Sequence, residues 1–189
     1  MKNIVQQQAG ANRVFVTGSL GFLGAEVVRQ LRTAGHLCVA SDHSSKIPAT
    51  RNDIIACDIL SPGRIHGFLQ NCSAVIHVAG LAHVFDPQAA KRAPYHAVNV
   101  DGALNVAREA ILAGVEHFVF ISSVSVYGAE TSSLRDETSV CQPSTEYAKS
   151  KFAAEEGLKA LAASSSMRVT ILRMATIYGA GDPGNVARL

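Results

Sequence analysis

The chain has 189 residues, 48% of them hydrophobic and 17% charged, with a formal net charge of +2. That length suits one well-buried domain and is short for two sizeable ones, and the composition excludes a disordered or coiled-coil protein. Lysines and arginines are scattered rather than striped, which argues against a nucleic-acid surface, and no run of about 18 apolar residues is present to cross a membrane.

Residues 1–11, with three consecutive glutamines followed by Ala9-Gly10, read as a flexible leader that offers nothing to pack and lacks a signal-peptide pattern. From Arg13 onward, short runs rich in Val, Ile and Phe alternate with longer amphipathic stretches. Strands are expected at 13–17, 37–41, 54–56, 74–78, 117–122 and 169–173, and helices at 21–33, 61–70, 95–113 and 144–164. This alternation predicts an α/β domain, a doubly wound parallel sheet covered on both faces, whose ligands lie beyond the carboxyl ends of the strands. Cys38, Cys57, Cys72 and Cys141 have no metal-type spacing. They read as buried, reduced thiols of a cytoplasmic protein, with no metal site.

The first strand runs directly into Gly18-x-x-Gly21-x-x-Gly24, which opens the first helix. Gly18 permits a tight turn, Gly21 lets backbone approach a pyrophosphate, and Gly24 allows close packing of the helix; the helix-start N–H groups then meet phosphate charge. Phe22 and Leu23 lie within this turn. Asp42, 24 positions after Gly18, is placed to accept hydrogen bonds from the adenosine ribose hydroxyls and to repel a 2′-phosphate, which favours NAD over NADP. His43 and Lys46 could instead cradle a phosphate or lie solvated in the loop. Asp58 could hold the adenine amino group or simply cap the next helix. Val78, Ala79 and Gly80, with little bulk, suit a wall beside the cofactor or an ordinary strand end.

Tyr147 and Lys151 are four apart on a predicted helix and share a face. An ordinary phenol, with a pKa of about 10, is a poor base at neutral pH, and a nearby ammonium together with the nicotinamide ring would lower it. Lys151 could also bond the nicotinamide ribose. Ser123, closing the fifth strand, would set a hydroxyl against the reacting substrate oxygen. Asn99 is unusual in a helix interior and could bond backbone or a water near the lysine.

These pieces resemble the extended short-chain dehydrogenase/reductase family, especially its nucleotide-sugar epimerase/dehydratase branch of the UDP-glucose 4-epimerase kind. The resemblance runs from Val14 to Leu189. It is carried by the segment ending in Gly24, by Val75-Ile-His-Val-Ala-Gly80, Asn99-Val-Asp-Gly102, Phe120-Ile-Ser-Ser-Val-Ser-Val-Tyr-Gly128, Tyr147-Ala-Lys-Ser-Lys151 and Ile171-Leu-Arg-Met-Ala-Thr-Ile-Tyr-Gly179.

The resemblance implies an NAD-binding Rossmann domain over 12–178 and, at 179–189, the start of a second, substrate-binding lobe that is otherwise missing. It implies Tyr147 as acid/base, Lys151 as its partner and Ser123 as the residue orienting the reacting hydroxyl, with Ser125 a further substrate contact. Gly18, Gly21, Phe22, Leu23, Gly24, Asp42, Asp58 and Ile59 would surround NAD. The substrate would be a nucleotide sugar, epimerised at its 4-hydroxyl, and two copies could pair through a four-helix interface. Ser123-Val124-Ser125 replaces the Thr-Asp-Glu usual in dehydratases, which disfavours water elimination. Arg173-Met174-Ala175-Thr176 stands where hexose epimerases commonly carry an asparagine, so a 4-keto-sugar reductase or a 3-hydroxysteroid-type dehydrogenase remains an alternative. A non-catalytic NAD sensor is a third. With the second lobe lacking, the chain is expected to bind NAD and to turn sugar nucleotides over poorly or not at all.

Overall fold

The computed structural model describes residues 12–82, 93–129 and 134–181. The expected leader and most of 179–189 therefore lie outside the described residues. Six parallel strands form one sheet: β1 (Arg13–Thr17), β2 (Leu37–Asp42), β3 (Ile54–Ala56), β4 (Ala74–His77), β5 (His117–Ser123) and β6 (Arg168–Met174). Their order is β3-β2-β1-β4-β5-β6, so the direction of winding reverses between β1 and β4. A crevice opens at that reversal, at the carboxyl ends of the strands.

Alternation along the strands divides the core. Phe15, Val75, Phe118 and Phe120 point to one face and pack with Ile65, Leu69, Val106, Ala107, Ala110 and Leu158. Val14, Val16, Ala40 and Ile54 point to the other and pack beneath Val28 of helix α1 (Phe22–Thr33). Among the described residues the first face is the more fully covered. On the second, α1 shields the β1–β3 side, whereas β5 alternates buried with half-buried positions and Leu172 of β6 is 40% exposed.

Two expected helices differ from the sequence reading. Residues 61–70 form a 3₁₀ turn, Pro62–Arg64, and a single-turn helix α2 (His66–Leu69). Pro62, Gly63 and Gly67 deprive that stretch of an N–H donor and of helix propensity. The long helix at 95–113 begins with a six-residue π-helical stretch, His96–Asp101, before α3 (Gly102–Leu112). Helix α4 (Glu146–Ala163) starts where Thr145 Oγ1 accepts a hydrogen bond from the Ala148 N–H at 3.1 Å. Strand ends shift by a residue: β2 includes Asp42, β5 includes Ser123, and β4 stops at His77, leaving Val78 to Gly80 as the segment that follows it.

The cysteines are free, but only Cys57 and Cys72 are buried while Cys38 and Cys141 are half-exposed, and burial pushes the Cys57 thiol up to about 11. Among the described residues no cluster of metal-ligating side chains occurs, and no helix is long and apolar enough to cross a membrane.

Candidate active site

A cleft of about 1730 Å³ runs across the carboxyl ends of the strands. At one end lies the glycine turn. Gly18 has φ +69°, a left-handed conformation that side chains resist, and a β-carbon there would sit 2.7 Å from the Ala79 nitrogen. A β-carbon on Gly24 would be driven into the Gly18 carbonyl, so this glycine is required by the loop folding over the helix rather than by the sheet. Helix α1 starts without a side-chain cap and without an acidic residue in its first turn. Its leading N–H groups are thus available to an anion.

Asp42 is buried, and its position is set by backbone: Oδ2 accepts from the Leu20 N–H and Oδ1 from the His43 N–H, both at 2.8 Å. Beside it, His43 Nδ1 accepts from the Ser45 N–H and caps the 3₁₀ turn Ser44–Lys46, while His43 and Lys46 both face the cleft. Asp58 caps its own turn, accepting from the Leu60 N–H at 2.9 Å and Ser61 Oγ at 3.1 Å. It lines the cleft with Ile59, whose side chain fills the space above Gly102.

At the other end, three elements converge. Ser123 Oγ, at the tip of β5, accepts from the Ser125 N–H at 3.2 Å and from Ser125 Oγ at 2.9 Å, so its own hydrogen is left to donate. Tyr147 shares a hydrogen bond with Ser123 and lies edge-on to Tyr95, ring centroids 6.1 Å apart. Lys151 is 5% exposed, its ammonium 4.3 Å from the centre of the Phe120 ring. Burial lowers it to about 8, with the charge of Glu155 opposing that fall. Tyr147 moves the other way from the sequence expectation. In the ligand-free chain burial raises the phenol, the hydrogen bond with Ser123 offsets part of the rise, and the neighbouring Tyr95 adds to it.

Asn99 is buried inside the π-helical stretch. Its Oδ1 accepts from the Leu81 N–H at 2.7 Å, and its Nδ2 donates to the Leu81 carbonyl at 3.0 Å and to Ser150 Oγ at 3.0 Å. Asn99 thus joins the backbone of Leu81 to the hydroxyl of Ser150. Val78, Ala79 and Gly80 line the cleft between its two ends, and a β-carbon at Gly80 would lie 3.1 Å from Asn99 Oδ1 and 3.7 Å from Lys151 Nζ.

Sequence reasoning missed four side chains behind this segment. Thr17 Oγ1 accepts from the Ala79 N–H at 3.2 Å and is 3.0 Å from His77 Nδ1. His77 is wholly enclosed, stacked on Phe118 and Phe120, and held down at about 3 by burial. Glu155, wholly buried, pairs with the half-buried Arg173 at 2.7 Å. A polar residue in an otherwise apolar strand was the available signal for His77. Glu155, next to Glu156, reads as a solvated face.

Residues 14–189 match the sequence profile of the NAD dependent epimerase/dehydratase family. The UDP-glucose 4-epimerase of Vibrio cholerae is 34% identical over 183 residues, taking in 93% of this chain and 55% of that protein. MoeE5, solved in complex with UDP-glucuronic acid and NAD, superposes with a TM-score of 0.80 at 34% identity, over 90% of this chain and 56% of that one. The Thermotoga maritima UDP-glucose 4-epimerase, solved with UDP-glucose, gives 0.79 at 27% identity, over 88% and 56%. The chain spans about half the length of these relatives. With the glycine turn, the crevice at the strand reversal and a match over almost its whole length, the chain belongs to the NAD dependent epimerase/dehydratase family.

Proposed function

We propose that this chain is the cofactor-binding part of a nucleotide-sugar 4-epimerase, with NAD lying across the cleft and Tyr147 as the acid/base. The observation that carries this is the shared cleft: Asp42 and the uncapped start of α1 at one end, Ser123, Tyr147 and Lys151 at the other. NAD supplies the hydride acceptor that takes hydrogen from sugar carbon 4 and returns it. Gly18 to Gly24 would hold the pyrophosphate, Asp42 the adenosine ribose, and Asp58 with Ile59 the adenine.

Tyr147, as phenolate, would accept the proton of the sugar 4-hydroxyl. Its phenol is held high in the ligand-free chain. A positive ring and the Lys151 ammonium, brought to the same oxygen, stabilise the charged form and lower it. Ser123, whose hydrogen is not taken by Ser125, would turn it from Tyr147 to the sugar oxygen as the carbonyl forms. Turning the resulting ketone over and returning the proton from Tyr147 completes the inversion. Ser125 donates to Ser123, and no carboxyl group stands in that segment to drive water elimination. Pairing of two copies through α3 and α4 belongs to the same proposal.

The test is proton NMR of UDP-galactose incubated with the chain and NAD. Slow growth of the UDP-glucose anomeric signal is expected, and its loss in Tyr147→Phe. Interconversion that persists in Tyr147→Phe would overturn the assignment of the base. NAD binding with no interconversion by the chain extended to the length of its relatives would leave a dinucleotide-binding module instead.

A further inference from the structure

Glu155 lies one turn beyond Lys151 on α4, and it is wholly buried. A carboxylate so placed is costly unless every oxygen finds a donor. Ser122 Oγ donates to Oε1, and Arg173 of β6 closes on both oxygens, Nε at 3.2 Å to each and Nη2 at 2.7 Å to Oε2. Arg173 continues outward. Its Nη1 donates to Tyr127 Oη at 2.9 Å and to the Glu137 carbonyl at 3.4 Å, its guanidinium lies 4.9 Å from the Tyr127 ring centre, and Tyr127 Oη donates to the Asp136 carbonyl at 2.7 Å. One carboxylate thus ties the helix bearing Tyr147 and Lys151 to the end of β5, to β6 and to the segment behind the cleft.

Two properties of the site depend on that tie. Ser122 immediately precedes Ser123, so fixing the Ser122 side chain to α4 fixes the separation of Ser123 from Tyr147. The second property is charge. Lys151 Nζ makes no hydrogen bond among the described residues and rests on the Phe120 ring. The titratable and charged groups around it are Tyr147 and Glu155 on α4, His77 on β4, Tyr95 before α3, and Arg173 on β6, the last reaching it only through Glu155. Of these, Glu155 alone carries a carboxyl group. We propose that Glu155 is a positioning residue that holds Ser123 against Tyr147 and sets a carboxylate one helical turn from the Lys151 amine, with Arg173 holding Glu155 in place in turn. Burial and Glu155 act on Lys151 in opposite directions, as this arrangement requires.

The roles of Tyr147 and Lys151 in this inference rest on the proposed function, so the test reads the lysine itself. The protein carries carbon-13 at the lysine ε position, and the Lys151 signal, assigned by its absence in Lys151→Arg, is followed against pH without cofactor or substrate. Glu155→Gln should move the Lys151 midpoint to lower pH. The paired change Glu155→Met with Arg173→Met, which leaves no unpaired guanidinium, should fold and give a smaller shift in the same direction. NAD affinity should then fall between neutral and mildly alkaline pH more steeply in Glu155→Gln than in the parent. An unchanged midpoint in a folded Glu155→Gln overturns the proposal, and so does failure of both variants to fold, which would make the pair a folding element alone. A shifted midpoint in a chain that binds no NAD would uphold the action of Glu155 on Lys151 and sink the proposed function.

Discussion

The two ends of the cleft are built in different ways. The end holding the glycine turn and Asp42 is mostly backbone, assembled from neighbours in sequence: β1, the turn, α1 and the tip of β2. The end holding Ser123, Tyr147 and Lys151 is side chain, drawn from β5 and α4 and backed by β4 and β6. The first end needs shape and free N–H groups, and its tolerance to change is steric. The second buries charge, and its behaviour depends on pH. His77 is where they touch, since it meets Thr17 of β1 on one side and stacks beneath Phe120, the ring under Lys151, on the other.

The largest expected effect lies at the steric end. Gly24→Val should lose NAD binding and cost about 3 kcal/mol or more of stability, because the added atoms meet the Gly18 carbonyl. Calorimetry and thermal unfolding check both; retention of NAD binding would break the claim that this end is set by shape. Next is His77, with a folded-state value of about 3 against an ordinary value of 6.5. The unfolded chain binds the proton first, so stability should fall as pH drops from about 6.5 toward 3, by roughly 3 kcal/mol at about pH 4. Urea denaturation should show that acid loss in the parent and a flatter profile in His77→Leu.

Lys151→Met follows. The buried ammonium titrates at about 8 when folded and at 10.5 when exposed, so its cost is fully present below about pH 8 and is relieved as pH rises toward 10.5. Replacing it should stabilise the ligand-free chain by on the order of 2 kcal/mol at neutral pH, with the gain shrinking toward about pH 10, while abolishing turnover. A destabilised variant would show that Lys151 is held by packing rather than endured for its charge. Asp42→Asn is the smallest. Losing the charge and one of two accepted N–H bonds should weaken NAD about tenfold and narrow the preference over NADP. Equal loss for both cofactors would remove Asp42 from their discrimination.

The same contrast explains what could be read beforehand. Gly18 to Gly24 follow β1 without a break, and Tyr147 with Lys151 is a spacing of one helical turn, so local order carried both. Ser123 was legible as a strand end. Glu155 was not, because its burial is created by Arg173, 18 residues away on a strand whose pairing with β5 brings the two together. The Pro62-Gly63 interruption was visible yet outweighed by the apolar spacing around it. The π-helical stretch at His96–Asp101 had no local marker except Asn99, whose partner Leu81 lies after β4. The direction of the Tyr147 shift could not be read either, because burial decides it.

The central claim is that one dinucleotide joins the two ends. Titration of phenolate absorbance, with Tyr147→Phe subtracted, tests it most directly in three samples: the chain alone, with NAD, and with ADP-ribose, which carries the adenosine end and lacks the nicotinamide ring. The account predicts that both ligands bind, that NAD moves the Tyr147 transition to lower pH, and that ADP-ribose leaves it where burial holds it. A Tyr147 transition unmoved by bound NAD would contradict it.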